Sequence, residues 1–195
     1  MLRKVYEIMD ETTSSELKNI KIAEDPVEVL KFLNDGVSDL GSRFNLFNNT
    51  VEVTMEIGKT TLLIEDLKQL TTIKGVDGTL YFSGDSSNYG IYQPTGHSVY
   101  LPEALEEIPL VIKYSAESPL YAEGDDLDIP NGLITPLKLF MGYKGAMSID
   151  AKIKEDENNT FYLRYEKAVS ALKDMNTEID IEDTTSNKFT LNGFV

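Results

Sequence analysis

The hydrophobic period changes twice along this chain, and that double change limits what it can fold into. Leu30, Leu33, Val37, Leu40 and Phe44 follow one another at intervals of three and four, the repeat of one helix face. Asp25 before Pro26, with Glu28 in the first turn, is a helix start. The spacing therefore predicts a helix over residues 26–44, weakened by Gly36 and Gly41 at up to about 1 kcal/mol each. From residue 48 the period is two. Val51, Val53, Met55 and Ile57 alternate with Glu52, Thr54 and Glu56, the pattern of a half-buried strand. Gly58-Lys59 is expected to turn the chain into a partner strand over residues 60–64. Shorter strand patterns follow at residues 70–73, 79–82, 98–101 and 109–115. They predict an antiparallel β-insert of roughly four to six strands over residues 48–116. Past an acidic loop at residues 119–130, the period returns to 3.6. Leu133, Leu137, Phe140 and Met147 share a face over residues 131–149. Phe161, Tyr165, Ala168, Leu172 and Met175 share another over residues 160–176. Residues 15–20 read as a shorter helix.

The expected fold class is α+β: a small α-helical bundle with an inserted antiparallel β-unit and an extended C-terminal arm. The expected organisation is a single domain over residues 1–183 and an arm over residues 184–195. Composition removes several functions. The 195 residues include no cysteine and one histidine, His97, and carry a net charge of −15. Disulfides, thiolate zinc sites and a cysteine nucleophile are excluded, as is any site needing two imidazoles. A chain this acidic does not wrap nucleic acid by releasing counterions. No apolar run has the length of a membrane span, so no membrane is expected as a partner.

The candidate chemistry is sparse. Gly58-Lys59-Thr60 has the ending of a phosphate-binding loop, but the required earlier glycine is replaced by Val53 and a strand pattern follows. His97 and Ser98 lack the flanking pattern of a nucleophile elbow. Asp125, Asp126 and Asp128 offer oxygen ligands without the glycine and bidentate glutamate of a calcium loop. No residue is assigned to catalysis, to a cofactor or to a metal. In the arm, Phe189, Leu191, Phe194 and Val195 are apolar and belong to no amphipathic element. They either fold back on their own core or dock on a neighbour, for instance by strand addition.

A resemblance bears on that choice. Leu33-Asn34, Asp39-Leu40 and Arg43-Phe44 come first. Ile112-Lys-Tyr-Ser-Ala-Glu-Ser-Pro119 follows, then Leu127-Asp-Ile-Pro130 leading into residues 133–147. Tyr162-Leu-Arg-Tyr-Glu-Lys-Ala-Val-Ser-Ala-Leu172 closes the series. In this order, over residues 27–176, the chain resembles the head-to-tail connector (adaptor, or neck ring) proteins of tailed phages, as in short-tailed and crAss-like phages. Pro136 departs from the pattern at the start of its helix. The resemblance implies a virion structural protein, not an enzyme, made in the bacterial host cytoplasm. It implies a homo-oligomeric ring, usually twelvefold, between a portal protein and a downstream tail or second ring protein. DNA would pass through its lumen without specific binding, and an acidic lumen repels phosphate. The arm would dock on the portal, with Phe189, Leu191, Phe194 and Val195 in grooves between portal subunits. A tail-completion or terminator ring protein is the alternative within the virion. A small acidic cytoplasmic binding module, with the β-unit as ligand face, is the rival of another class.

Overall fold

The computed structural model describes residues 3–18, 24–83, 86–87, 90–102, 107–149 and 160–177. The fold is α+β. The described residues form two compact units. One is helical and combines the described residues of 1–46 with those of 119–177; the other, the described residues of 47–118, is all β and lies between those halves in the chain.

The helical unit opens with a short strand, β1 (Arg3–Lys4), and a helix, α1 (Val5–Ser14). Sequence periodicity had not predicted α1. Its buried face is Val5, Ile8, Met9 and Thr12. The polar Thr12 disguises the stripe, and it is tolerated inside because its hydroxyl donates to the Ile8 carbonyl at 2.7 Å. Helix α2 (Pro26–Phe44) starts where Asp25 accepts from the amides of Val27 and Glu28, at 3.0 and 3.4 Å. It ends at Asn45, whose φ of 50° is the left-handed conformation of a helix stop. The residues predicted as a shorter helix, 15–18 of them described, form a turn instead. The acidic loop contains a two-residue strand that pairs with β1, at Arg3↔Leu127 and Lys4↔Asp126.

Beyond a short 3-10 turn at Asn131–Leu133 come α3 (Ile134–Ile149) and α4 (Thr160–Thr177). The sequence suggested a single apolar face for α3. Instead it is buried nearly all round, with Ile134, Leu137, Leu139, Phe140, Met141 and Ala146 inside. That is the signature of a central helix. It packs on α1, α2 and α4. Pro136 falls in its first turn, where a missing amide costs no helical hydrogen bond. Gly36 explains the glycine that weakened the α2 pattern. A β-carbon there would come within 2.6 Å of Leu137 Cδ1 and 2.9 Å of Phe140 Cδ1, so glycine is what lets α2 approach α3.

In the β unit, β2 (Asn48–Met55), β4 (Leu67–Gly75), β5 (Leu80–Ser83), β6 (Ser86–Ser87) and β9 (Ile108–Ala116) make one antiparallel sheet, in the order β2-β9-β4-β5-β6. A second sheet has the order β3-β8-β7, from β3 (Thr61–Leu63), β7 (Tyr92–Thr95) and β8 (Ser98–Tyr100). The strand in the acidic loop is β10 (Asp126–Leu127). The hairpin expected across Gly58-Lys59 does not form: the turn carries the chain from one sheet to the other. Pairing β2 with β9 satisfies an eight-residue ladder, which the three residues of β3 could not supply. Both sheets contribute to one apolar core, including Leu67, Ile73, Val99 and Ile112.

Replacing Gly36 by leucine should overpack the α2–α3 crossing. The expected cost is about 1–3 kcal/mol, read as a lowered midpoint in thermal or urea unfolding.

Candidate functional site

The surface with unused binding capacity lies on the β unit. Strand β2 is an edge: among the described residues its only partner strand is β9. The register is constant from Asn48↔Ser115 to Met55↔Ile108. One residue before, the Ala116 amide donates to the Phe47 carbonyl at 2.6 Å. Hydrogen-bonded and non-bonded pairs alternate in an antiparallel ladder. Asn49, Val51, Val53 and Met55 therefore bond towards β9, while Thr50, Glu52 and Thr54 turn their N–H and C=O groups outward.

The side chains alternate in the same way. Met55 is buried, and Val51 and Val53 are half-buried against the core, on the face that carries the buried Leu110, Ile112 and Tyr114 of β9. Thr50, Glu52 and Thr54 are exposed on the other face. The β2 edge thus combines outward backbone groups with incompletely covered valines. Beside it, Asp66 accepts from the Tyr114 hydroxyl at 2.7 Å and from the Asn49 side-chain amide at 2.8 Å.

An apolar end adjoins this edge. The register puts the end of β2, the start of β9, the end of β4 and the start of β5 side by side. Ile57 (63 % exposed), Val76 (66 %), Leu80 (41 %) and Pro109 are exposed at or just beyond these strand ends. Several exposed aliphatic side chains at one end of a sheet are a candidate interaction surface.

The helical unit has a polar cluster instead. Arg43 on α2 pairs with Asp39 one turn earlier (Nε–Oδ2 2.7 Å) and grips Glu166 on α4 with both terminal nitrogens, at 3.1 and 2.9 Å. Its guanidinium stands 5.2 Å from the centre of the Tyr165 ring, and the Tyr165 hydroxyl donates to Asp39. Burial opposes the charge on Arg43. The hydrogen bond to Glu166 and the surrounding charges outweigh it, so the pKa lies above its ordinary value. Tyr165 is also raised, first by burial and then by its bond to Asp39. A bidentate, partly shielded pair of this kind ties two helices together. The same four residues stand at the two ends of the resemblance. Asn34 makes a second tie: its side chain donates to the Tyr121 carbonyl at 3.0 Å and accepts the Tyr121 amide at 2.8 Å.

The other sequence candidates are dispersed. Phe189, Leu191, Phe194 and Val195 lie outside the described residues, as does the 178–183 stretch before the arm. Lys59 pairs with Glu56 at 2.7 Å in a turn where Gly58 has φ 77°, and a strand follows it. His97 sits in the β7–β8 turn, 4.0 Å from Glu117. The Ser98 hydroxyl bonds to Thr95 at 2.6 Å and not to His97. Asp125 accepts the Ala122 amide at 2.7 Å, and Asp126 pairs with Lys4 at 2.9 Å. Among the described residues no group of three or more histidine, aspartate and glutamate side chains is placed to hold a metal ion, and no helix is long and apolar enough to cross a membrane. No family model matches the chain, and no curated protein matches it.

Two outcomes follow for the Arg43 cluster. Arg43→Met should cost about 1–3 kcal/mol in denaturant unfolding, because Asp39 and Glu166 lose their shared donor. An unfolded tyrosine ionises near pH 10, whereas folded Tyr165 stays neutral to higher pH. Unfolding above that pH then releases a proton, so stability falls as pH rises. Tyr165→Phe should make the decline shallower in thermal melts between about pH 9 and 11.

Proposed function

We propose that this chain is a virion structural protein that assembles into a ring at the neck of a tailed phage, joins portal to tail and extends the DNA channel. The observation that carries the reading is the interrupted helical unit. An all-β unit stands in the chain between α2 and the α3–α4 pair, yet α2 and α4 are held together by Arg43 and Glu166. A helical bundle interrupted in the chain by a β insert is what the resemblance to connector proteins implies. The charge of −15 supports the same reading, since an acidic lumen lets phosphate slide without sticking. The residues that would do the work are docking residues: Phe189, Leu191, Phe194 and Val195 form an arm that engages a neighbour in the neck. Repetition around a ring turns a weak contact per subunit into a firm joint.

Purified particles from a lysate encoding this chain test the proposal. Mass spectrometry against the major capsid protein should find the chain at a ring-like copy number, about a dozen per particle. Absence from the particle would overturn the neck reading. It would favour the acidic binding module, with the open edge and apolar end of the β unit as its ligand face.

A further inference from the structure

We infer that the open edge of β2 is a strand-docking site, and that its occupant is the segment of residues 188–192 of a second copy of this chain. The inference rests on the ring reading, for which it names the contact between neighbouring subunits, and it assigns Phe189 and Leu191 to that contact in place of a portal groove.

The receptor is described above. Thr50, Glu52 and Thr54 turn backbone donors and acceptors outward, Val51 and Val53 are only half-covered, and among the described residues β9 is the only strand that pairs with β2, so the edge at these positions can accept another strand. The occupant is legible in the sequence. Lys188-Phe189-Thr190-Leu191-Asn192 alternates with a period of two, the strand period. Laid beside β2 with Phe189 and Leu191 on the core side, the segment extends the apolar row of Val51 and Val53. Lys188, Thr190 and Asn192 then fall on the outer face, beside Thr50, Glu52 and Thr54. Lys188 is the sole basic residue after Lys173, and Glu52 is the sole charged residue on the exposed face of β2. In that register Thr190 faces Glu52 and Lys188 is the diagonal neighbour of Glu52, within reach of its long side chain, so the opposite charges stabilise the pair.

A second copy is favoured over two other occupants. Pairing β2 with the β2 of another copy about Glu52 would set two glutamates opposite each other, and such a two-fold contact stops at a dimer. An arm that meets a different surface on the next copy is a head-to-tail contact, the kind that closes rings.

Hydrogen–deuterium exchange on the full chain, resolved to single residues and run across a concentration series with native mass spectrometry, tests this. Assembled chains should protect the amides of Thr50, Glu52 and Thr54 by at least about tenfold relative to monomer. Those of Val51 and Val53, bonded to β9, should stay protected throughout. Leu191→Asp should abolish both assembly and the new protection. Glu52→Pro should do the same without breaking the β2–β9 ladder, since the Glu52 amide faces outward. Glu52→Lys should weaken assembly, and adding Lys188→Glu should restore it, which keeps the test decisive if the proline variant misfolds. Protection already complete in the monomer, assembly that leaves Thr50, Glu52 and Thr54 exchanging freely, or a chain that never assembles would each overturn the inference. The neck reading is judged separately, by copy number in the particle.

Discussion

A single backbone hydrogen bond marks the joint on which this architecture depends: the Ala116 amide to the Phe47 carbonyl. It begins the ladder between β2 and β9, the strands by which the chain enters and leaves the β unit. Residues directly opposed in an antiparallel ladder are about 5.5 Å apart. An insertion of 72 residues, 47 to 118, therefore occupies little more space in the helical unit's connectivity than a turn would. The helices on either side of it in the chain are free to pack as one body, and α3 becomes the centre of that body with α1, α2 and α4 around it.

The same pairing decides where the β unit is unfinished. β9 uses both of its edges, one on β2 and one on β4. Its even-numbered residues, Leu110, Ile112 and Tyr114, are buried beneath the sheet. Because β2 has β9 on one side only, its outward backbone groups and its two valines lie at the sheet's boundary. In the helical unit the polar groups answer one another instead. Arg3 and Lys138 meet Glu11, Lys4 meets Asp126, Arg43 meets Asp39 and Glu166, and Arg164 meets Glu16. These basic side chains are held by carboxylates of the same unit.

Periodicity made much of the fold legible. The switch from 3.6 to 2 and back locates α2, the β unit and the α3–α4 pair, because each buries one face and buried faces leave a repeat. What periodicity could not carry was partner choice. Nothing in residues 51–64 says that the turn at Gly58 crosses between sheets, since that depends on a nine-residue strand, β9, more than forty positions away. Helix α1 was hidden by a buried threonine, and although α3 was located, its burial on almost every side did not show in its single stripe. The Arg43 cluster was invisible for a different reason. Arginine, aspartate and glutamate at these spacings are ordinary surface residues until α4 arrives to face α2. The β2 edge was half legible: the alternation showed a strand, while its lack of a second neighbour emerged only from the topology.

The placement of Phe47 opposite Ala116 also has a mechanical consequence. Tension applied to the chain on either side of the β unit pulls on two adjacent strand ends at the same end of the sheet. The β2–β9 bonds run across the strands, so such a load meets them one pair at a time, beginning at Phe47, and peels the ladder rather than shearing it. Peeling gives way at lower force than shear. Under load the β unit is therefore an extensible element that yields from its root, while a push along the strands would meet the whole ladder at once.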